Sequence, residues 1–237
     1  MVDGTPPGER PGASAIALVG GTFDPVHYGH LRLADELQRT LGVADMRLVP
    51  AGDPPHRDVP HANAAHRVAM LELARAEFPR LSIDTREIDR RGKSYTVLSL
   101  ESLRAEGAAG PLLWVVGADA FLGLPTWHRW REIFGLAHLV VVGRPGVELA
   151  GALPPPLVPE WNARITRDRE ALSRAPAGAI YREDVTPQPI SATAIRAALA
   201  RGPDGTAEVR GLLPAGVLSY IARNGLYGAS SPPQDAT

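Results

Sequence analysis

The 237-residue sequence has no cysteine. Disulfides, iron–sulfur clusters and thiol nucleophiles are therefore excluded, and a zinc site would have to be built from histidine and carboxylates alone. No apolar run approaches the roughly 18 residues of a membrane-spanning helix, so none is expected. Neither sign of charge dominates: 25 Lys and Arg stand against 26 Asp and Glu, a formal net charge of −1. Such a chain lacks the global basic field that collects nucleic acid. Two phosphate-binding signatures are missing as well, the G-x-G-x-x-G dinucleotide fingerprint and the Walker A loop with its G-K-[S/T] ending. Segment 1–14 carries glycine, proline and charge but no apolar signal core, and with 229–237 it reads as a disordered tail. The expected compartment is the cytoplasm.

What is present is a chain of 44% hydrophobic residues, long enough for one large α/β domain. Apolar runs at 15–20, 46–50, 81–88, 112–117, 139–143 and 180–184 read as strands. They alternate with helical patterns at 31–41, 64–78, 96–106, 193–200 and 216–223. This alternation predicts a Rossmann-like, doubly wound parallel sheet in a single domain over 15–228, ending in a short helical part. Right-handed crossovers then bring the strand C-termini to one edge, where ligands bind. The stretch 146–179 is irregular: Pro154, Pro155, Pro156 and Pro159 break any element, and 162–173 suits a polar helix. It reads as an insertion or lid.

The first strand run leads into Gly20-Gly21-Thr22-Phe23-Asp24-Pro25-Val26-His27-Tyr28-Gly29-His30, and a helix follows. Strand, glycine turn and helix together make a phosphate site, because glycine lets backbone approach an anion and the helix start offers unpaired N–H groups. His27 and His30, three residues apart, share a face once the helix has begun. A metal pair is the other reading of two such histidines. A second helix start, Ile190-Ser191-Ala192-Thr193-Ala194-Ile195-Arg196, combines hydroxyls with a cation. In isolation Ser191 reads as an ordinary N-cap, yet hydroxyls and open N–H groups at that position also bind phosphate.

Further candidates lie at strand ends. His56 and Arg57 follow the second strand in a proline-rich loop, a solvated turn unless they reach a phosphate. Ser94, Tyr95 and Thr96 precede a helix, as caps or as ligand contacts. Gly117 and Asp119 end the fourth strand, where a carboxylate either caps a short helix or accepts ribose hydroxyls. Trp127 follows Pro125-Thr126 and reads as exposed enough to stack on a flat ring, whereas Trp130 reads as core. Arg144 ends the fifth strand as a loop charge or an anion contact. His61 reads as solvated, and His66-Arg67 as mainly structural.

Gly20 to His30 resembles the signature of the nucleotidyltransferase superfamily that carries an H-x-G-H element, and the full run is similar to that of bacterial nicotinate-nucleotide adenylyltransferases. The resemblance extends to Tyr227 and takes in Pro55-His56, Ser94-Tyr95-Thr96, Gly117-Ala118-Asp119, Pro125-Thr126-Trp127 and Arg144-Pro145-Gly146. Two departures stand out: Arg57 replaces the usual Lys, and Ala192 stands where Ser is frequent. The resemblance implies adenylyl transfer from ATP to nicotinate mononucleotide, giving deamido-NAD and pyrophosphate in NAD biosynthesis. It implies His27, His30 and Arg196 as catalytic residues. It implies Gly20, Gly21, Thr22, Gly29, His56, Arg57, Gly117, Asp119, Ser191 and Thr193 around ATP. It implies Ser94, Tyr95, Thr96, Trp127 and Arg144 around nicotinate mononucleotide. Mg²⁺ is expected with ATP and without protein ligands. No nucleic-acid or membrane partner is expected, and a homo-oligomer is left open. Alternatives are a nicotinamide-mononucleotide or pantetheine-phosphate adenylyltransferase, a relative of class I aminoacyl-tRNA synthetases, and an inactive nucleotide-binding module.

Overall fold

The apolar runs form strands β1 (Ile16–Gly21), β2 (Asp45–Pro50), β3 (Leu81–Ile83), β4 (Leu112–Gly117), β5 (His138–Gly143), β6 (Ile165–Thr166) and β7 (Ile180–Asp184) in a computed structural model that describes residues 15–53, 59–143 and 149–229. They make one sheet in the order β3-β2-β1-β4-β5-β7-β6, every neighbouring pair parallel.

A parallel sheet must be covered on both faces, and the two-residue alternation along each strand feeds two separate cores. Ala17, Val19, Leu113, Val115, Val140 and Val142 face the helices α1 (Tyr28–Leu41) and α2 (Ala64–Arg75) and the C-terminal helix Ala215–Arg223. Leu18, Trp114, Val116, Leu139 and Val141 face the helix Thr96–Ala105 on the other side. Along α1 the buried residues Leu31, Ala34, Leu37, Gln38 and Leu41 recur at three- and four-residue steps, which is why this segment coils against the sheet.

Strand order runs outward from β1 in one direction and from β4 in the other. The crevice between the C-terminal ends of β1 and β4 is therefore the sheet's topological switch point, the place where such sheets bind ligands. Gly20 and Gly21, which close β1, and Gly117 all lie at this edge.

Beyond shifts at other element ends, such as α2 stopping at Arg75 rather than 78, three differences from the sequence expectations change the reading. β3 stops at Ile83 because the Asp84 carboxylate accepts the Arg86 main-chain N–H and its guanidinium, turning the chain into the short helix Arg86–Asp89. The helix expected at 162–173 is not one element. Helix Val158–Arg164 ends, β6 follows, and a turn leads into the short helix Ala171–Arg174. In that turn Thr166 Oγ1 accepts from the Asp168 N–H and Asp168 Oδ1 from the Glu170 N–H, side-chain bonds that compete with a helical ladder. The irregular stretch thus supplies the outermost strand, β6 on β7, and buries Leu149, Leu157 and Leu172. Finally, α1 begins at Tyr28 rather than Leu31, which places His30 inside its first turn. At the C-terminus Ala229 is buried. No helix among the described residues is long and apolar enough to cross a membrane.

Candidate active site

His27 is the N-cap of α1, with extended backbone (φ −147°, ψ 168°), and no side chain caps this helix. The Tyr28 N–H donates to the Leu212 carbonyl and the His30 N–H to the His27 carbonyl. The His27 and His30 rings stack, with centroids 3.8 Å apart and planes 24° from parallel. Gly29 makes this packing feasible. A Cβ there would lie 2.9 Å from the His27 ring, which would have to shift, and 3.5 Å from Ile190 Cβ, an ordinary contact.

His27 is buried, and its burial lowers the imidazole pKa from 6.5 to about 4, against a smaller opposing effect of its own main chain. The group is therefore neutral at pH 7 and acts as a hydrogen-bonding group, not a cation. A base with a depressed folded-state pKa stabilises the fold above its unfolded pKa, and that contribution is lost as pH falls from 6.5 towards 4. Urea unfolding at pH 7 and pH 5 should show wild type losing about 2 kcal/mol more than His27→Gln over that interval. Equal losses in the two proteins would contradict the neutral assignment.

The loop between β1 and α1 is tied down by groups distant in sequence. The buried Asp24 carboxylate accepts the main-chain N–H groups of His61 (2.8 Å) and Ala62 (3.1 Å) and the Tyr227 hydroxyl (2.6 Å). Arg67, almost wholly buried, donates to the carbonyls of Thr22 (2.8 Å) and Ala62 (3.2 Å). Burial pushes the Arg67 pKa down, and the charge of Asp24 offsets part of that. Burial and the bond to Asp24 together push the Tyr227 phenol well up.

The second helix start meets the first. Ser191 is the N-cap of the helix Ala192–Leu199, its hydroxyl accepting from the Ala194 N–H at 3.5 Å, so the capping reading describes it, through a long bond. Arg196 Nη1 donates to the Asp24 carbonyl at 2.7 Å, and Nη2 reaches Thr193 Oγ1 at 3.4 Å. Arg32 to Gln188 and Glu36 to Thr186 hold the approach to Ser191 along α1. His27, His30, Gly29 and Arg196 are thus brought together, and Ser191 and Thr193 lie exposed beside them.

At the β4 end, Gly117 and Asp119 are exposed, and no side chain caps the short helix Ala118–Leu122. The capping reading of Asp119 therefore fails. Ser94 does not cap the helix after it either. Its hydroxyl accepts the N–H groups of Gly52 (2.8 Å) and Asp53 (3.1 Å), fastening the loop after β2. Thr96 is the first residue of its helix, which no side chain caps. The Tyr95 ring lies 4.4 Å from that of His128, and Trp127 is half-buried on the same core, whereas Trp130 is buried. His61 is exposed, and His66 Nδ1 meets the Tyr220 hydroxyl at 2.9 Å. His56, Arg57 and Arg144 lie outside the described residues. Among the described residues no group of three or more His, Asp or Glu is arranged to hold a metal ion.

Residues 18–198 match the cytidylyltransferase-like family. A protein of Laribacter hongkongensis named a probable nicotinate-nucleotide adenylyltransferase is 51% identical over 219 residues, 92% of this chain and 96% of that one. This chain belongs to the nicotinate-nucleotide adenylyltransferase branch of the cytidylyltransferase-like family. A second member so named, from Halorhodospira halophila, is 46% identical over 213 residues, 90% of this chain and 95% of its own. The Plasmodium falciparum nicotinic acid mononucleotide adenylyltransferase, solved complexed with NaAD, shares the fold with a TM-score of 0.66 at 14% identity, over 90% of this chain and 97% of that one.

The family signature contains Asp24, yet nothing in its sequence neighbourhood discloses its partners. His61, Ala62, Arg67 and Tyr227 come from segments 37 to 203 positions away. Glu87, buried behind the β2 loop, was not a sequence candidate, and nothing in the run 81–88, which also carries Asp84 and Arg86, singles it out.

Proposed function

We propose that this enzyme transfers the adenylyl group of ATP to nicotinate mononucleotide. A phosphate oxygen of nicotinate mononucleotide forms a bond to the α-phosphorus of ATP. The bond from that phosphorus to the bridging oxygen breaks, and its electron pair leaves with pyrophosphate; the other product is deamido-NAD. What supports the reading most is the meeting of two helix starts, at Gly29 and Ile190, beside His27, His30 and Arg196 at the switch point.

The attacking phosphate monoester, with a second pKa near ~6, is largely dianionic at pH 7, so no protein nucleophile or general base is required. What the reaction needs is relief of repulsion between anions and stabilisation of charge on the α-phosphate and the departing pyrophosphate. In this reading Arg196 supplies the fixed positive charge, neutral His27 supplies a ring N–H group, and the His30 ring adds a second donor. Gly20, Gly21, Thr22 and Gly29 shape the cradle, and Ser191 and Thr193 add hydroxyls. Gly117 and Asp119 lie where a ribose would sit. Tyr95, Thr96 and Trp127 border the acceptor's ring, with Ser94 behind them. His56, Arg57 and Arg144 retain the roles that the resemblance implies.

Mg²⁺ bound to ATP would neutralise part of the triphosphate charge. The Asp24 carboxylate is already engaged by three donors, so in this reading the ion is held by the nucleotide's oxygens. The same reading places the enzyme in the cytoplasm.

Pyrophosphate release with Mg·ATP tests it, with nicotinate mononucleotide, nicotinamide mononucleotide and pantetheine phosphate compared side by side. A strong preference for the nicotinate compound is expected. Equal use of the two pyridine nucleotides would discard the acceptor assignment, and release with none of the three would discard the reaction.

A further inference from the structure

Behind the segment that this reading places at the acceptor ring sits a carboxylate with no part in the chemistry above. Glu87, on the short helix Arg86–Asp89, is buried, and its Oε1 accepts the Ser99 hydroxyl at 2.7 Å, itself buried on the helix Thr96–Ala105. The Ser94 hydroxyl has both lone pairs taken by the N–H groups of Gly52 and Asp53. Its hydrogen is what remains to donate, and Ser94 stabilises the ionised Glu87 carboxylate. The Glu87 main chain closes the same knot: a Cβ on Gly52 would lie 2.2 Å from the Glu87 carbonyl oxygen. The Ser94 N–H also donates to the Asp53 carbonyl at 2.9 Å. The Glu87 side chain therefore joins the turn after β3 to Ser99, and the Ser94 hydroxyl and the Glu87 main chain bring the loop after β2 into the same knot.

We propose that Glu87 is a positioning residue for the acceptor nucleotide, setting the placement of Ser94, Tyr95 and Thr96 without touching substrate. The inference rests on the assignment of that stretch to nicotinate mononucleotide. It predicts an effect weighted to one substrate, because the groups placed on the phosphates, His27, His30, Ser191, Thr193 and Arg196, sit at α1 and the helix Ala192–Leu199, while the loop after β2 that leads to His56 and Arg57 keeps its own bonds to Ser94. Burial pushes the Glu87 carboxyl up, and Ser99, Arg90 and Ser94 draw it back, so its charge depends on the partners named here.

The test is steady-state kinetics with each substrate varied in turn. Glu87→Leu, which leaves the buried Ser99 hydroxyl without its acceptor, should raise KM for nicotinate mononucleotide about tenfold. KM for ATP should stay within about twofold. Glu87→Gln keeps an acceptor oxygen and should recover most of the loss. Ser99→Ala lies away from both substrates and removes one donor to Glu87. It should show the same split to a smaller degree, and it carries the test if Glu87→Leu does not fold. Both KM values rising together, or neither moving, would overturn the positioning role. Wild-type enzyme that ignores nicotinate mononucleotide but uses another acceptor would overturn the acceptor assignment, and this inference with it.

Discussion

His30→Ala is expected to lower kcat by about 10²-fold or more, the usual cost of removing one transition-state donor. The fold should tolerate the change. His30 lies in the first turn of α1, where alanine is the better helix former. Its losses include a ring stacked on His27 and an edge contact with Phe23 at 5.0 Å. A cost of about 1 kcal/mol would move Tm by only about 2–4 °C in a protein of this size. KM for either substrate should change far less than kcat, because the donor acts on charge that develops during transfer. The stacking adds a second expectation. Each imidazole positions the other, so His27→Ala and His30→Ala combined should cost less than the sum of the single losses. Turnover within threefold of wild type, with the fold intact, would remove His30 from the machinery.

How much of this arrangement was legible in the sequence depends on the distance over which each feature is determined. Most strands could be read from apolar runs, because a strand buried on both faces needs every residue apolar, as Leu112 to Val116 show. β6 could not. Two residues among polar neighbours carry no periodicity, and Ile165 becomes a strand only by pairing with Ile180. The paired histidines and the Ser191–Arg196 start were visible as local patterns at two helix N-termini. Their convergence was not, since the bond from Arg196 to the Asp24 carbonyl spans 172 positions of the chain. Ser94 illustrates a subtler limit. Its placement just before a helix suggested a cap or a ligand contact, and the hydroxyl turns instead to Gly52 and Asp53, a partnership that depends on tertiary packing. The neutrality of His27 is likewise a property of burial and not of the letter at that position.

Asp24→Ala should cost more stability than any other single change around the loop. The substitution strands two main-chain N–H groups and the Tyr227 hydroxyl in a buried setting, at about 1–3 kcal/mol for each unsatisfied group. It also takes the nearby negative charge from Arg67, whose desolvated guanidinium Asp24 helps to keep protonated. The three stranded donors together set an expected loss of at least about 3 kcal/mol. Tm should fall by about 10 °C. Tyr227→Phe removes only one of the three donors and should cost about 1 kcal/mol. Activity should fall as well, because Asp24 is followed at short range by His27 and its own carbonyl holds Arg196. The loss should be proportionate to instability and partly recovered on cooling. This separates the clamp from a chemical role. If Asp24 instead served a metal ion or the substrate, Asp24→Ala would abolish turnover at unchanged Tm, as a removed ligand does when the scaffold does not need it. Thermal unfolding and kcat on the same preparations, for Asp24→Ala, Asp24→Asn and Tyr227→Phe, decide between the two. The clamp requires Tm to follow the number of donors left without an acceptor, whereas a ligand role requires kcat to follow loss of the charge alone, so that Asp24→Asn would be as inactive as Asp24→Ala.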